Sequence, residues 1–228
     1  MDSESSDASR FFVLEEGTHG SRCDVAVDTV EPINRADAPR CPRCGAFVGL
    51  LKWLPPHRVE LKLHGEELGD FIKKSAYDLL LSERFVDAFR AEALTGLDDF
   101  HPVEVVQVRR MKKRPRQPLT IPSYSVASTC FGRAAVDLIL NRARTTKPIT
   151  CLECRSTTIN AIHGVILEPG TWQGEDIFRP RGLPGTLVVS ERFKDFVERH
   201  RLTNIRLTPA EQYVKDPSNL GPAPLPTA

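Results

Sequence analysis

Apolar and polar positions divide this chain into short runs, most of them with the spacing of strands. Residues 11–14, Phe-Phe-Val-Leu, read as a first strand, and residues 59–63, Val-Glu-Leu-Lys-Leu, alternate as a half-buried strand does. Residues 77–81 have the pattern of a buried strand. They lead into Ser82-Glu-Arg-Phe, after which Phe85, Phe89 and Ala93 recur four apart, the stripe of a helix packed on one face. Ser82 suits the N-cap, because its hydroxyl can accept from an unpaired amide of the first turn, and Glu83 suits the positive end of the helix dipole. Gly96 is placed to end the helix in a left-handed conformation. Residues 103–108 read as a strand again. The plan then recurs: a strand at 186–189, Ser190 as cap, Phe193 and Val197 as the stripe, and a strand near 204–207.

That recurrence extends beyond one block. Ser-Glu-Arg-Phe begins at Ser82 and Ser190, 108 residues apart, and Cys-x-x-Cys begins at Cys41 and Cys151, 110 apart. Ala-Val-Asp at 26–28 and 135–137, Asn-Arg-Ala at 34–36 and 141–143, and Cys23 with Cys130 keep nearly the same offset. Five matches in one order point to a tandem duplication. The expectation is an α+β fold, a tandem duplication of a unit with a few strands and one main helix, stapled by a zinc-ribbon-like site of four cysteines. Residues 1–10 read as a disordered N-terminus, 11–108 as the first unit, 109–121 as a basic, proline-bearing linker, 122–215 as the second unit and 216–228 as a disordered proline-rich tail.

Composition narrows the function classes. With 40% hydrophobic and 27% charged residues the chain is of globular type, and a net charge of +1 argues for neither nucleic acid nor membrane as a partner. No apolar run approaches the ~18 residues of a membrane span. The start, Met-Asp-Ser-Glu-Ser-Ser-Asp, lacks the basic and apolar segments of a secretory signal, so a cytoplasmic location is expected. Cysteines there are reduced, and Cys-x-x-Cys reads as metal or redox chemistry before disulfide.

Cys41-Pro-Arg-Cys44-Gly45 has the form of a zinc knuckle; Cys151-Leu-Glu-Cys154-Arg155 lacks its proline and glycine. Zinc takes four ligands, and Cys41, Cys44, Cys151 and Cys154 supply them if the two pairs meet. Entropy permits this: closing a loop of ~100 residues costs about 5 kcal/mol, against roughly 10–16 kcal/mol from structural zinc. Three other readings stand beside it. One completes each pair separately, by Cys23 or by Cys130 with a histidine. Another makes a pair a redox dithiol. The last takes the thiols as relics of an ancestral site. Ser82-Glu83-Arg84 and Ser190-Glu191-Arg192 read as cap, first-turn acid and solvated arginine, since no nucleophile elbow accompanies them. The six histidines form no metal-binding pair on a helix, and no phosphate-binding glycine loop is present. Trp53 and Trp172 are read as core residues. The basic run at 109–116 lacks interleaved aromatics for base stacking.

Cys-Pro-Arg-Cys-Gly, a second Cys-x-x-Cys about a hundred residues on, and the closing Leu-Val-Val-Ser-Glu-Arg-Phe-Lys-Asp-Phe together resemble the bacterial double-CXXCG motif paralogous family, over roughly residues 11–213. The second motif departs from that pattern at Arg155. Members are described as immunity proteins against toxins exchanged between neighbouring cells. The resemblance implies a non-enzymatic cytoplasmic protein that occludes a cognate toxin protein, with zinc at most structural. The alternatives are a zinc-ribbon nucleic-acid-binding module that uses 109–116, and a thiol oxidoreductase.

Overall fold

The computed structural model of the protein describes residues 10–75, 77–111 and 118–224. The first half contains β1 (Phe11–Glu16), β2 (Val25–Thr29), β3 (Asn34–Arg35), β4 (Trp53–Leu54), β5 (His57–Leu63), β6 (Phe71–Lys73), β7 (Asp78–Ser82), α1 (Glu83–Ala91) and β8 (Leu97–Arg110). The second contains β9 (Tyr124–Thr129), β10 (Phe131–Ala135), β11 (Arg144–Thr145), β12 (Ile159–His163), β13 (Ile177–Arg181), β14 (Leu187–Ser190), α2 (Glu191–Arg199), β15 (Ile205–Pro209), a 3-10 turn at Ala210–Gln212 and β16 (Val214–Lys215).

The α+β class does not hold. Strands take 39% and helices 10% of the structure, so this is a mostly β protein with two short α-helices, not a pair of units each built round a main helix. The helical blocks are the clearest periodic signal in the chain, whereas several strands span two residues between turn formers and leave no period to read. The basic run at 109–116 falls partly within β8, which ends at Arg110, and partly at 112–117, outside the described residues. Residues 1–9 and 225–228 also lie outside them. Residues 216–224, expected to be unstructured, are held: Arg144 Nε donates to Gly221 O at 2.7 Å, Arg142 Nε to Ala223 O at 2.9 Å, and the Asp216 carboxylate accepts from the Leu220 and Gly221 amides.

Two sheets carry the core. One has the strand order β2-β5-β8-β9-β7-β6, the other β10-β13-β14-β1-β15. Each borrows a strand. β9, from the second half of the chain, lies between β7 and β8 of the first; β1, from the first half, lies between β14 and β15 of the second. The register matches position for position, with Ser82 opposite Tyr124 and Ser190 opposite Phe11.

The helices cap as their sequences require. Ser82 Oγ and Ser190 Oγ each accept from the amide three residues on, Phe85 and Phe193, at 3.2 Å. Both helices end in a left-handed residue, Ala93 (φ 49°) and Arg201 (φ 49°), so the stop comes three residues before the Gly96 expected from sequence. Their apolar faces meet: the Phe196 ring lies 5.5 Å from Phe85 and 5.5 Å from Phe193, within one core that both sheets share. Burying each such ring contributes about 1.5–3 kcal/mol.

A reciprocal latch ties the helices together. Asp70 accepts from Ser82 Oγ (2.7 Å), Arg84 Nε (3.2 Å) and the Thr203 amide (2.8 Å); Asp176 accepts from Ser190 Oγ (2.9 Å), Arg192 Nη1 (2.9 Å) and the Thr95 amide (3.0 Å). Arg84 reaches on to the carbonyl of His200 at the end of α2, and Arg192 to that of Glu92 at the end of α1. These arginines therefore do more than face solvent. Burial works against an ionised Asp70, but its bonds to Arg84, Ser82 and Thr203 outweigh burial and hold its carboxyl below the usual range.

Candidate metal centre

The two Cys-x-x-Cys turns, 110 residues apart in sequence, meet in space. The sulfurs of Cys41, Cys44, Cys151 and Cys154 all lie within 4.8 Å of one another. Cys41 Sγ is 3.9 Å from Cys151 Sγ, and Cys44 Sγ is 3.6 Å from Cys154 Sγ. All four are free thiols, and these separations exceed by far the ~2.05 Å of a disulfide. Four sulfurs set ~2.3 Å from a central zinc at tetrahedral angles stand about 3.8 Å apart. The cluster therefore has the size and ligand count of a tetrahedral thiolate metal site, and three of its members are buried while Cys44 faces solvent.

Both turns share one backbone shape. Gly45 N donates to Cys41 O at 2.9 Å, and Arg155 N donates to Cys151 O at 2.9 Å. Each closing residue is left-handed, Gly45 at φ 73° and Arg155 at φ 53°. Glycine adopts this freely; an arginine does so at a cost of about 1 kcal/mol. Arg155 is pinned there by an ion pair from Nη2 to Glu168 and by Nη1 donating to Val136 O at 3.2 Å. The missing glycine thus leaves the second turn intact.

The amide of Cys154 leads in drawing the Cys151 thiol down to about 7, whereas burial pushes Cys154 up to about 12. Four thiolates this close repel one another strongly in the absence of a cation. Phe131 packs with Ala46 and Val48 against the cluster.

The remaining thiols lie elsewhere. Cys23 Sγ is 3.6 Å from Glu67 and Cys130 Sγ is 3.7 Å from Ile177 O; burial raises both to about 11. Neither completes a three-cysteine set. Trp53 is buried, and Trp172 packs edge-on to Phe11 with ring centroids 5.1 Å apart. Sequence reasoning passed over Asp70, Asp176 and Arg179, which are lone charged residues with no periodic or motif signal. Among the described residues, no helix is long and apolar enough to cross a membrane. No family model and no curated protein matches the chain.

Proposed function

We propose that this protein is a non-enzymatic, cytoplasmic immunity protein that neutralises a cognate toxin by stoichiometric occlusion, with one zinc as a structural staple. The convergence of four cysteine sulfurs at tetrahedral spacing carries the reading. Cys41, Cys44, Cys151 and Cys154 would hold the metal. A site filled by four protein ligands keeps no open position for a substrate, so bound zinc supplies folding energy, on the order of 10 kcal/mol, and no Lewis-acid chemistry. Its effect is to lock two loops to each other and make their outer surface rigid. Around the turns Phe47, Leu50, Leu51 and Leu152 are exposed, each by more than half. Exposed apolar side chains grouped in this way suit a protein partner. The resemblance of the cysteine and Ser-Glu-Arg-Phe motifs to the double-CXXCG immunity family supports the choice of partner. A nucleic-acid reading of the basic run is weaker, because Arg109 Nε is engaged with Glu60 at 2.7 Å.

The test is co-expression with each toxin encoded beside the gene. Rescue of growth, with a one-to-one complex on gel filtration, is the expected result. Failure to rescue against all of them would sink the reading. Elemental analysis of the native protein checks the staple separately, and one zinc per chain is expected.

A further inference from the structure

The matched register brings out one unequal pair of positions. In β6 and β7, Phe71 faces Leu81 and Ile72 faces Leu80; in β13 and β14, Ile177 faces Val189 and Phe178 faces Val188. The next residue along is Lys73 in one sheet and Arg179 in the other. On the borrowed strands the same counting, from Phe11 and from Tyr124, places Glu16 opposite in role to Thr129. At the helix exits Asn204 corresponds to Gly96: both are left-handed, and their carbonyls accept from Gly17 N at 3.1 Å and Cys130 N at 3.0 Å.

The first of these places has a carboxylate as well as a cation. Lys73, held below its ordinary range by burial, lies in the field of Glu15 and Glu16. Glu16 in turn accepts from Asn204 Nδ2 at 3.0 Å. At the second place Thr129 stands where the first has Glu16 and brings no carboxylate. Arg179 is 2% exposed, with its Cζ 4.0 Å from the Tyr77 ring centroid and Nη1 donating to Thr129 O at 3.4 Å. Its Nε and Nη2, and Thr129 Oγ1, are buried and find no hydrogen-bond partner among the described residues. Nε and Nη2 share one edge of the guanidinium, the edge that pairs with a carboxylate through two parallel bonds. The nearby Asp78 carboxylate is taken by Lys74 and Ser75, each at 3.3 Å. A buried polar group left unpaired is costly, and a vacant charged edge points to something that fills it. Arg179 and Thr129 line a cavity of ≈ 320 Å³ whose walls include Val48, Leu50 and Phe131 and also the acids Asp37, Asp78 and Asp99, of which Asp99 is paired with Lys52 and Asp78 with Lys74.

We propose that this cavity binds a small organic carboxylate with an apolar body, at a site that adjoins the cysteine cluster through Val48 and Phe131 and whose occupancy does not depend on the toxin reading. The carboxylate takes the free edge of Arg179 and the Thr129 hydroxyl. The body lies against Val48, Leu50 and Phe131. The half-buried Tyr77 ring covers the guanidinium and moves aside on entry.

Calorimetric titration of the full-length protein with benzoate, and with benzamide as the neutral molecule of the same shape, tests this. Benzoate is expected to bind one saturable site and benzamide at least about tenfold more weakly, since a charge-assisted pair is lost. Arg179→Met should abolish benzoate binding while the ligand-free protein keeps or gains thermal stability. Thr129→Glu supplies an internal carboxylate, so it should raise the melting temperature and exclude benzoate; it serves also if the Arg179 variant does not fold. Equal binding of benzoate and benzamide, binding of neither, or a Thr129→Glu protein that takes benzoate as the native one does would each overturn the proposal.

Discussion

The turn after Cys41 and the turn after Cys151 reach the same backbone shape by different means. In the first, Gly45 takes the left-handed conformation without penalty and needs no outside help. In the second, Arg155 takes it against the preference of its own Cβ and is held by Glu168 and Val136 O. A Cys-x-x-Cys turn can thus lack the glycine and keep its geometry, provided the replacement side chain finds partners elsewhere in the chain. The robustness of the two turns then differs: one is local, while the other depends on residues 13 and 19 positions away.

The comparison can be broken at its common element first. On the proposed zinc reading, Cys41→Ser and Cys151→Ser should each abolish metal binding and lower stability by several kcal/mol, because a structural metal's binding energy is folding energy. Elemental analysis with thermal melting checks this, and equal losses from the two turns are expected. Next come the helix exits, where the halves also differ. A Cβ on Gly96 would stand 1.8 Å from Ile177 O, so Gly96→Ala should cost about 3 kcal/mol or more. Asn204→Gly, at the matching place, removes bonds to Glu16 and to Phe71 O and should cost about 1–2 kcal/mol in denaturant titration.

The turns themselves come third. Arg155→Ala keeps the strain and loses the pins, for a loss of about 1–2 kcal/mol, whereas Arg155→Gly removes both and should lie within about 1 kcal/mol of the native protein. If Arg155→Gly proved as damaging as Arg155→Ala, the ion pair rather than the backbone would be the limiting feature. Smallest is a pH effect on the Lys73 side. Burial raises Glu16 to about 7. A carboxyl raised on folding favours the folded state while protonated, and that contribution fades as pH climbs from about 4.5 through about 7. Against Glu16→Gln, the native protein should therefore lose about 1 kcal/mol over that window, a figure discounted for the group's partial exposure.

What the amino-acid order revealed was local. Ser82 and Ser190 announce their helices because a cap acts within three residues, and the cysteine pairs are recognisable from their own spacing. What it concealed was remote. Nothing near Phe11 says that β1 pairs with residues 187–190 and 205–209, and nothing near Asp70 says that Thr203 will donate to it. Such partners are set by the packing of whole sheets. The fold class was misjudged for the same reason: two amphipathic helices are conspicuous, whereas two-residue strands such as β3, β4, β11 and β16 exist through pairing alone. Arg179 was invisible because a lone arginine ordinarily sits in water.

The borrowed strands also impose an order of assembly. β1 is synthesised early, yet both of its neighbours lie beyond residue 186. Phe12, Val13 and Leu14, buried in the finished protein, have no complete sheet to join until residue 209 has been added. The sheet of β6 and β7 waits likewise for β9. Neither half can close its core by itself, so folding is deferred to the whole chain, and a fragment that stops before β15 would leave one edge of the first strand as an exposed apolar ribbon.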